Sequence, residues 1–288
     1  MESTFADAVP PLVTVPWLAS QLQQGGIVVV DASWYLPDSG RDAEMEYRAA
    51  HIPGAVRLDW TAVSDDATDL PHMLPSPQRF ASAMAALGIG PQHAVIVYDG
   101  SGTNLSAPRA WWMFRAYGHD RVAVLDGGFQ GWAGATRPVQ IGPTSRESTG
   151  YSVPTLNASL VRDRAAIDSI VAGADPAQVL DCRPTSRFLG DEPEPRAGLR
   201  RGHIAGSRNI PHAEFTDPET HQLLRPPALR NLFASRGLDP GKPIVASCGS
   251  GMSAAVSALA IEVLRNAGDI VGPPVAIYDG SWAEYGRP

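Results

Sequence analysis

Cysteine is almost missing from this chain. Among 288 residues there are two, Cys182 and Cys248. Two thiols build neither a disulfide framework nor a four-ligand zinc site, and their scarcity suits a reducing compartment. Lysine is rarer still. Lys242 is the only one, in a Gly-Lys-Pro turn that serves neither Schiff-base nor phosphate-loop chemistry. No stretch approaches the ~20 apolar residues needed to span a bilayer. The first thirty residues hold acidic Glu2 and Asp7 and no basic patch followed by an apolar run. No secretory leader is therefore expected, and a cytoplasmic location is. Cations are in deficit as well: 23 against 30 acids gives −7. That balance is a poor match for nucleic acid or an anionic membrane. No metal site and no cofactor is expected.

What the chain does have is itself, twice. Ile27-Val-Val-Val-Asp31-Ala32 is answered by Gln178-Val-Leu-Asp181-Cys182, and Ala50-His51-Ile-Pro-Gly-Ala55 by Gly202-His203-Ile-Ala-Gly-Ser207. Val95-Ile-Val-Tyr-Asp99-Gly-Ser-Gly102 is answered by Ile244-Val-Ala-Ser-Cys248-Gly-Ser-Gly251, and Val122-Ala-Val-Leu-Asp126-Gly-Gly128 by Val275-Ala-Ile-Tyr-Asp279-Gly-Ser281. The offsets are 150, 152, 149 and 153, far too long for a solenoid unit. A domain has been duplicated. The divisions expected are 1–137, a Pro/Gly/Ser/Thr-rich linker at 138–156, and 157–288. At roughly 100–200 residues per domain, and with 44% hydrophobic residues, each half can bury a core.

Within each half, short β-branched runs (27–30, 95–98, 122–125; 179–180, 244–246, 275–278) end at Asp, Gly or Cys. Such runs read as buried parallel strands. Between them, 79–87 and 228–236 have helical spacing. The expected fold class is α/β, two tandem domains, each an open parallel sheet flanked by helices. Ligands in such sheets bind at the carboxyl ends of the strands.

Cys248 stands at one of those ends. Gly249, Ser250 and Gly251 follow it, and then Met252, Ala255, Val256, Leu259, Ala260, Val263 and Leu264 mark one apolar helical face. The glycines let the backbone curl into an anion nest, and the first amides of a helix lack partners within it. The loop Gly249, Ser250, Gly251, Met252, Ser253 is expected to hold a thiolate or a persulfide anion on Cys248 without a general base. The first repeat has Asp99 at the same place, which cannot do thiol chemistry. Cys182, beside Arg183 at another strand end, reads as a packed residue. No disulfide between the two cysteines is assigned.

The tandem α/β repeat with Cys248-Gly-Ser-Gly-Met-Ser-Ala254 resembles the rhodanese superfamily. Further markers are Asp126-Gly-Gly-Phe-Gln-Gly-Trp132, Pro71-His-Met-Leu-Pro75, Arg187-Phe-Leu-Gly-Asp-Glu-Pro-Glu-Pro-Arg196 and Gly202-His-Ile-Ala-Gly206. Within the superfamily the pattern is similar to the 3-mercaptopyruvate sulfurtransferases. The resemblance implies a double displacement: Cys248 takes the outer sulfur of a small-molecule donor and passes it to a thiol, such as that of thioredoxin, or to cyanide. Thiosulfate-preferring members carry Cys-Arg-Lys-Gly, whereas this loop has Gly249-Ser250. By resemblance, Arg187 and Arg196 bind the donor's carboxylate and keto group, as guanidinium forks can. Ser250 and His72 match a Ser–His–acid relay, but the acid's position holds Thr61. His51 and His203 recur in both copies and read as structural. Ala205 replaces a proline that the family, and the first copy at Pro53, carry.

Competing readings remain: a thiosulfate sulfurtransferase on the same cysteine, and a non-catalytic sulfur carrier or scaffold. A cysteine phosphatase would need arginine six residues after Cys248, where Ala254 stands. A papain-like hydrolase would need a histidine placed as the cysteine's base. Two halves closing one cleft need no second chain, so a monomer is expected.

Overall fold

The computed structural model describes residues 9–22, 25–36 and 39–288. Glu2 and Asp7, which entered the reading of the N-terminus, lie outside the described residues. Two five-stranded parallel sheets are present. The first joins β1 (Leu12–Val13), β2 (Ile27–Asp31), β3 (Val56–Arg57), β4 (Ala94–Tyr98) and β5 (Val122–Leu125) in the order β1-β5-β4-β2-β3. The second joins β6 (Val161–Arg162), β7 (Gln178–Asp181), β8 (Arg208–Asn209), β9 (Ile244–Ser247) and β10 (Ala276–Tyr278) in the order β6-β10-β9-β7-β8. The two orders are the same, so the duplication read from four sequence blocks extends to topology. The central strands are buried on both faces, as Val28, Val29 and Val30 show, which is why they read as unbroken apolar runs.

Helices α1 (Val15–Gln21), α2 (Ala43–Ala49), α3 (Pro77–Ala86), α4 (Ala107–Ala116) and α5 (Gly128–Gly134) flank the first sheet; α6 (Arg164–Val171), α7 (Thr185–Leu189), α8 (Pro226–Ser235), α9 (Ala255–Asn266) and α10 (Ser281–Tyr285) flank the second. α3 and α8 start two residues before their apolar periodicity does, because each opens on a proline in its first turn. In α3 the Ser76 hydroxyl also caps the Arg79 amide. The segment 138–157 is pinned along the first half: Gln140 bridges His51, Thr149 reaches Ala85 and Ile89, and the Asn157 amide donates to Ala116.

α4 and α9 are the repeat counterparts that meet between the halves. Both are buried nearly all round, as a helix between two sheets must be. Around them the contacts reciprocate. The Asp279 carboxylate accepts the Leu74 amide at 2.7 Å, and the Asp126 carboxylate accepts the Leu223 amide at 2.8 Å. Before each leucine stands a histidine in the left-handed region, His72 at φ 59° and His221 at φ 59°. His72 reaches Ser250 in the second half; His221 reaches the Gly102 carbonyl in the first. Each half thus lays a 70s-type loop over the other's strand ends. Among the described residues no helix is long and apolar enough to cross a membrane.

Candidate active site

β9 delivers Cys248 to the carboxyl edge of the second sheet, where the chain turns. Ser281, held at φ 49°, fastens that turn. Its hydroxyl oxygen accepts the amides of Cys248 (3.2 Å) and Gly251 (3.0 Å) and donates to the Tyr278 carbonyl. The carbonyls of Cys248 and Gly249 are taken by the amides of Trp282 and Ala283. Gly251 sits at φ +73°, and a Cβ there would come within 2.9 Å of the Asp279 carbonyl oxygen; the turn needs glycine. Among the described residues the amides of Gly249, Ser250, Met252 and Ser253 donate to no protein acceptor. The helix expected from Met252 begins at Ala255 instead, because 249–254 is drawn into this turn. The outcome is a run of open N–H groups beside the sulfur, the condition for holding an anion.

Cys248 is 2% exposed, yet it lines a cavity of about 60 Å³. At roughly 10–15 Å³ for one water, this space suits a molecule of a few heavy atoms. Gly249, Ser250, Met252 and Ser253 form its floor, Arg187 and Arg196 one wall, and Trp34, Leu36 and Leu105 of the first half close it. The structure therefore brings together Cys248, its loop and both arginines named from the sequence.

The charges have a clear order. Arg183 is 1% exposed and fully engaged: it pairs with Asp181 and with Glu194, each at 2.6 Å, and stacks over Trp282. Glu194 is thereby taken, and Arg187 stays 3.9 Å from it. Glu192 accepts the Ser186 hydroxyl. Arg196 makes no ion pair or hydrogen bond among the described residues, although Glu192 and Glu194 flank it in sequence. A Cβ on Gly249 would stand 4.0 Å from its guanidinium. Burial lowers Arg196 from its ordinary value, and the nearness of Cys248 works against that shift. Two guanidinium groups thus line the cavity with Cys248: Arg196 with no carboxylate partner among the described residues, Arg187 with only a long pairing to the already engaged Glu194.

His72 stands behind the loop. Its Nδ1 lies 3.1 Å from the Ser250 hydroxyl, its ring meets Trp34 edge-on, and its carbonyl accepts Arg109 at 2.6 Å. Burial first, then Arg109 and Arg196, push its ring down to about 4, so it is neutral near pH 7. Among the described residues no carboxylate bonds it. Thr61 is engaged elsewhere, its amide capped by Asp59 and its carbonyl taken by Arg79. His51 and His203 each bond a backbone carbonyl, of Tyr47 and Phe188, at 2.8 Å. Cys182 is 0% exposed, and burial raises its thiol well above the ordinary value.

Sequence reasoning missed two residues here. His212 lines the cavity from the turn after β8; a lone histidine carries no motif. Arg109 comes from α4 of the first half and is 1% exposed. It binds Asp279 at 2.7 Å as well as the carbonyls of His72 and Gly251. An arginine amid Ala, Pro, Trp and Phe was its only signal.

Comparison with known proteins agrees with this geometry. A family profile described as a rhodanese-like domain matches residues 14–135 and again 166–287. The 3-mercaptopyruvate sulfurtransferase of Rattus norvegicus is 40% identical over 281 residues, covering 95% of this chain and 91% of the rat protein. The thiosulfate sulfurtransferase of Bos taurus is 39% identical, with 95% and 91% covered. The crystal structure of SseA from Escherichia coli, described as a 3-mercaptopyruvate sulfotransferase of rhodanese fold, superposes with a TM-score of 0.82 at 37% identity, over 96% of this chain and 100% of that one. Duplicated sheets, a cysteine turn in the second and a profile met twice have one common explanation: the chain belongs to the rhodanese-like family and carries that domain in tandem.

Proposed function

We propose that this chain is a sulfurtransferase that loads sulfane sulfur from 3-mercaptopyruvate onto Cys248 and hands it to a thiophilic acceptor. One observation carries the reading: unpartnered amides follow Cys248 in a cavity lined by Arg196, which has no partner among the described residues, and by Arg187, which is only loosely paired with Glu194. The amides favour the sulfur anion; the guanidinium forks suit the carboxylate and keto oxygen of a 2-oxo acid.

The Cys248 thiolate attacks the donor sulfur. A sulfur–sulfur bond forms, the donor carbon–sulfur bond breaks, and its electron pair leaves on carbon as the enolate of pyruvate. That enolate takes up a proton. Ser250, held by His72, is the hydroxyl assigned to deliver it. With Thr61 at the acid's position and the imidazole neutral, this is a two-member relay. The persulfide rests on the amides of Gly249, Ser250, Met252 and Ser253 until an acceptor thiolate or cyanide attacks its outer sulfur, which restores the Cys248 thiolate.

Thiosulfate is the competing donor, because a thiosulfate sulfurtransferase stands among the relatives at nearly equal identity. The Gly249-Ser250 pair brings no cation into the loop, which favours the monoanion. A protein acceptor such as thioredoxin, a cytoplasmic setting suited to two free thiols, and a monomer whose single chain supplies both walls of the cleft complete the reading.

Mass spectrometry tests it. Brief incubation with 3-mercaptopyruvate should add about 32 Da, one sulfur atom, to the peptide bearing Cys248, and Cys248→Ser should abolish both this gain and turnover with either donor. Sulfur transfer persisting in that variant would remove the cysteine from the chemistry. A comparison of kcat/KM for the two donors decides between them.

A further inference from the structure

The transfer cycle leaves one nucleophile unused, and the sheet places it beside the reactive one. β7 and β9 are parallel neighbours whose last register pair is Asp181 with Ser247. The ladder runs one bond further, the Cys182 amide donating to the Ser247 carbonyl at 2.8 Å. The residue immediately after each strand's end is a cysteine. Adjacent strands lie about 4.8 Å apart, inside the roughly 4.4–6.8 Å that a disulfide asks of its two Cα atoms. The side chains also share a face. Leu180, Cys182, Ala246 and Cys248 belong to one core, whereas the intervening Val179 and Val245 belong to another.

We propose that Cys182 is the resolving thiol of Cys248: hydroperoxide that reaches the site oxidises Cys248, and the lesion closes as a reversible Cys182–Cys248 disulfide. The thiolate of Cys248 attacks a peroxide oxygen; a sulfur–oxygen bond forms, the oxygen–oxygen bond breaks, and hydroxide or alkoxide leaves. The Cys182 sulfur then attacks the Cys248 sulfur. The disulfide forms, the sulfur–oxygen bond breaks, and water leaves with the Cys182 proton. Cys248 supplies the two electrons of the first step, and a dithiol reductant resets the pair. The division of labour follows from burial. Cys182 is wholly enclosed and its thiol stays protonated, so it does not compete for the sulfur donor; it acts once Cys248 has become electrophilic. Without it, a sulfenic acid exposed to more peroxide proceeds to sulfinic acid, which dithiols do not reverse.

This inference rests on Cys248 being a reactive thiolate, as in the function proposed above, and is indifferent to the donor. Its test separates the two. Enzyme stripped of sulfane sulfur with dithiothreitol is first checked for alkylation of Cys248 by iodoacetamide and for sulfur loading. It is then treated with hydrogen peroxide, quenched in acid and weighed. Wild type is expected to lose about 2 Da, to yield the two cysteine-bearing tryptic peptides joined, and to regain its activity in dithiothreitol. Cys182→Ala, equally active before treatment, is expected to gain about 32 Da as sulfinic acid and to stay inactive. Joined peptides in wild type support the proposal even where that variant folds poorly. Wild type that loads sulfur normally but turns sulfinic with no linked peptide overturns the resolving role alone. Enzyme whose Cys248 is neither alkylated nor loaded overturns both.

Discussion

The carboxylate of Asp99 occupies, in the first repeat, the kind of loop that Cys248 opens in the second. Its two oxygens accept the amides of Ser101, Ser106 and Ala107 and the hydroxyl of Ser101, and its carbonyl accepts Phe129 as that of Cys248 accepts Trp282. The same repeat position therefore gathers amides around a carboxylate, one from the turn itself (Ser101) and two from the start of α4 (Ser106 and Ala107). In one copy a fixed side chain takes its amides; around Cys248 the amides of Gly249, Ser250, Met252 and Ser253 have no protein acceptor among the described residues.

Asp99→Cys should accordingly create no second sulfur site. The neighbouring guanidinium, Arg41, is tied to Glu46, Tyr35 and the Gly100 carbonyl, so it is not free to receive a donor carboxylate. The variant should also lose about 1–3 kcal/mol of stability as the loop amides lose their acceptor. Intact mass after loading with 3-mercaptopyruvate, expected to show one added sulfur and not two, checks the first point, and urea unfolding the second.

Arg187→Ala and Arg196→Ala should each raise KM for 3-mercaptopyruvate. A charged hydrogen bond worth about 1.5–3 kcal/mol corresponds to roughly ten- to hundredfold. Discharge of a preformed persulfide to cyanide, which needs no donor carboxylate, should change little. Single-turnover rates of the two half-reactions separate these; an unchanged KM would take the arginine out of the site.

Arg109→Met should destabilise the protein by about 3–5 kcal/mol, because Asp279 is left charged and 4% exposed without its partner. His72 would lose its carbonyl clamp and the Gly251 turn its brace, so turnover should fall more than donor affinity does. Urea midpoints and the split between kcat and KM read out the two effects. Arg109→Lys, which keeps the charge but not the fork, should recover part of the stability.

Acidification should weaken the fold through His72. Its folded value of about 4 lies below the 6.5 of a free imidazole, so between these values the unfolded chain binds the proton and the native state does not. Stability from this group is complete above about pH 6.5 and drains as pH falls toward 4, by at most about 1.4 kcal/mol per pH unit. His93, His119 and His212 are lowered as well, so the measurement is the difference in slope between wild type and His72→Gln in urea titrations from pH 4.5 to 7.5. Identical slopes would refute it.

The sequence showed what repeats in side chains and hid what repeats in backbone. β2, β4, β5, β7, β9 and β10 were legible because burial on both faces leaves an apolar run. β1, β3, β6 and β8 have two residues each and exist only because a neighbouring strand pairs with them. His72 and His221 escaped notice as counterparts, since Pro71-His-Met and Thr220-His-Gln share little; what they share is a left-handed φ and a target across the interface. Cys248, its loop and the two arginines could be named because one turn and one stretch of chain carry them. Arg109, His212 and the alignment of Cys182 with Cys248 arise from tertiary placement.

The reciprocity at α4 and α9 is that of an isologous dimer: residue i of one half meets residue j of the other, and j meets i. Asp279 on Leu74 and Asp126 on Leu223 are such a pair. The chain is thus built like a two-fold homodimer whose subunits have been joined end to end. Joining lets symmetry lapse at Asp99 against Cys248, while it persists where the halves dock. The first half is then no vestige: its Trp34, Leu36 and Leu105 roof the pocket of the second, and a second half produced alone would present the Cys248 sulfur to bulk water.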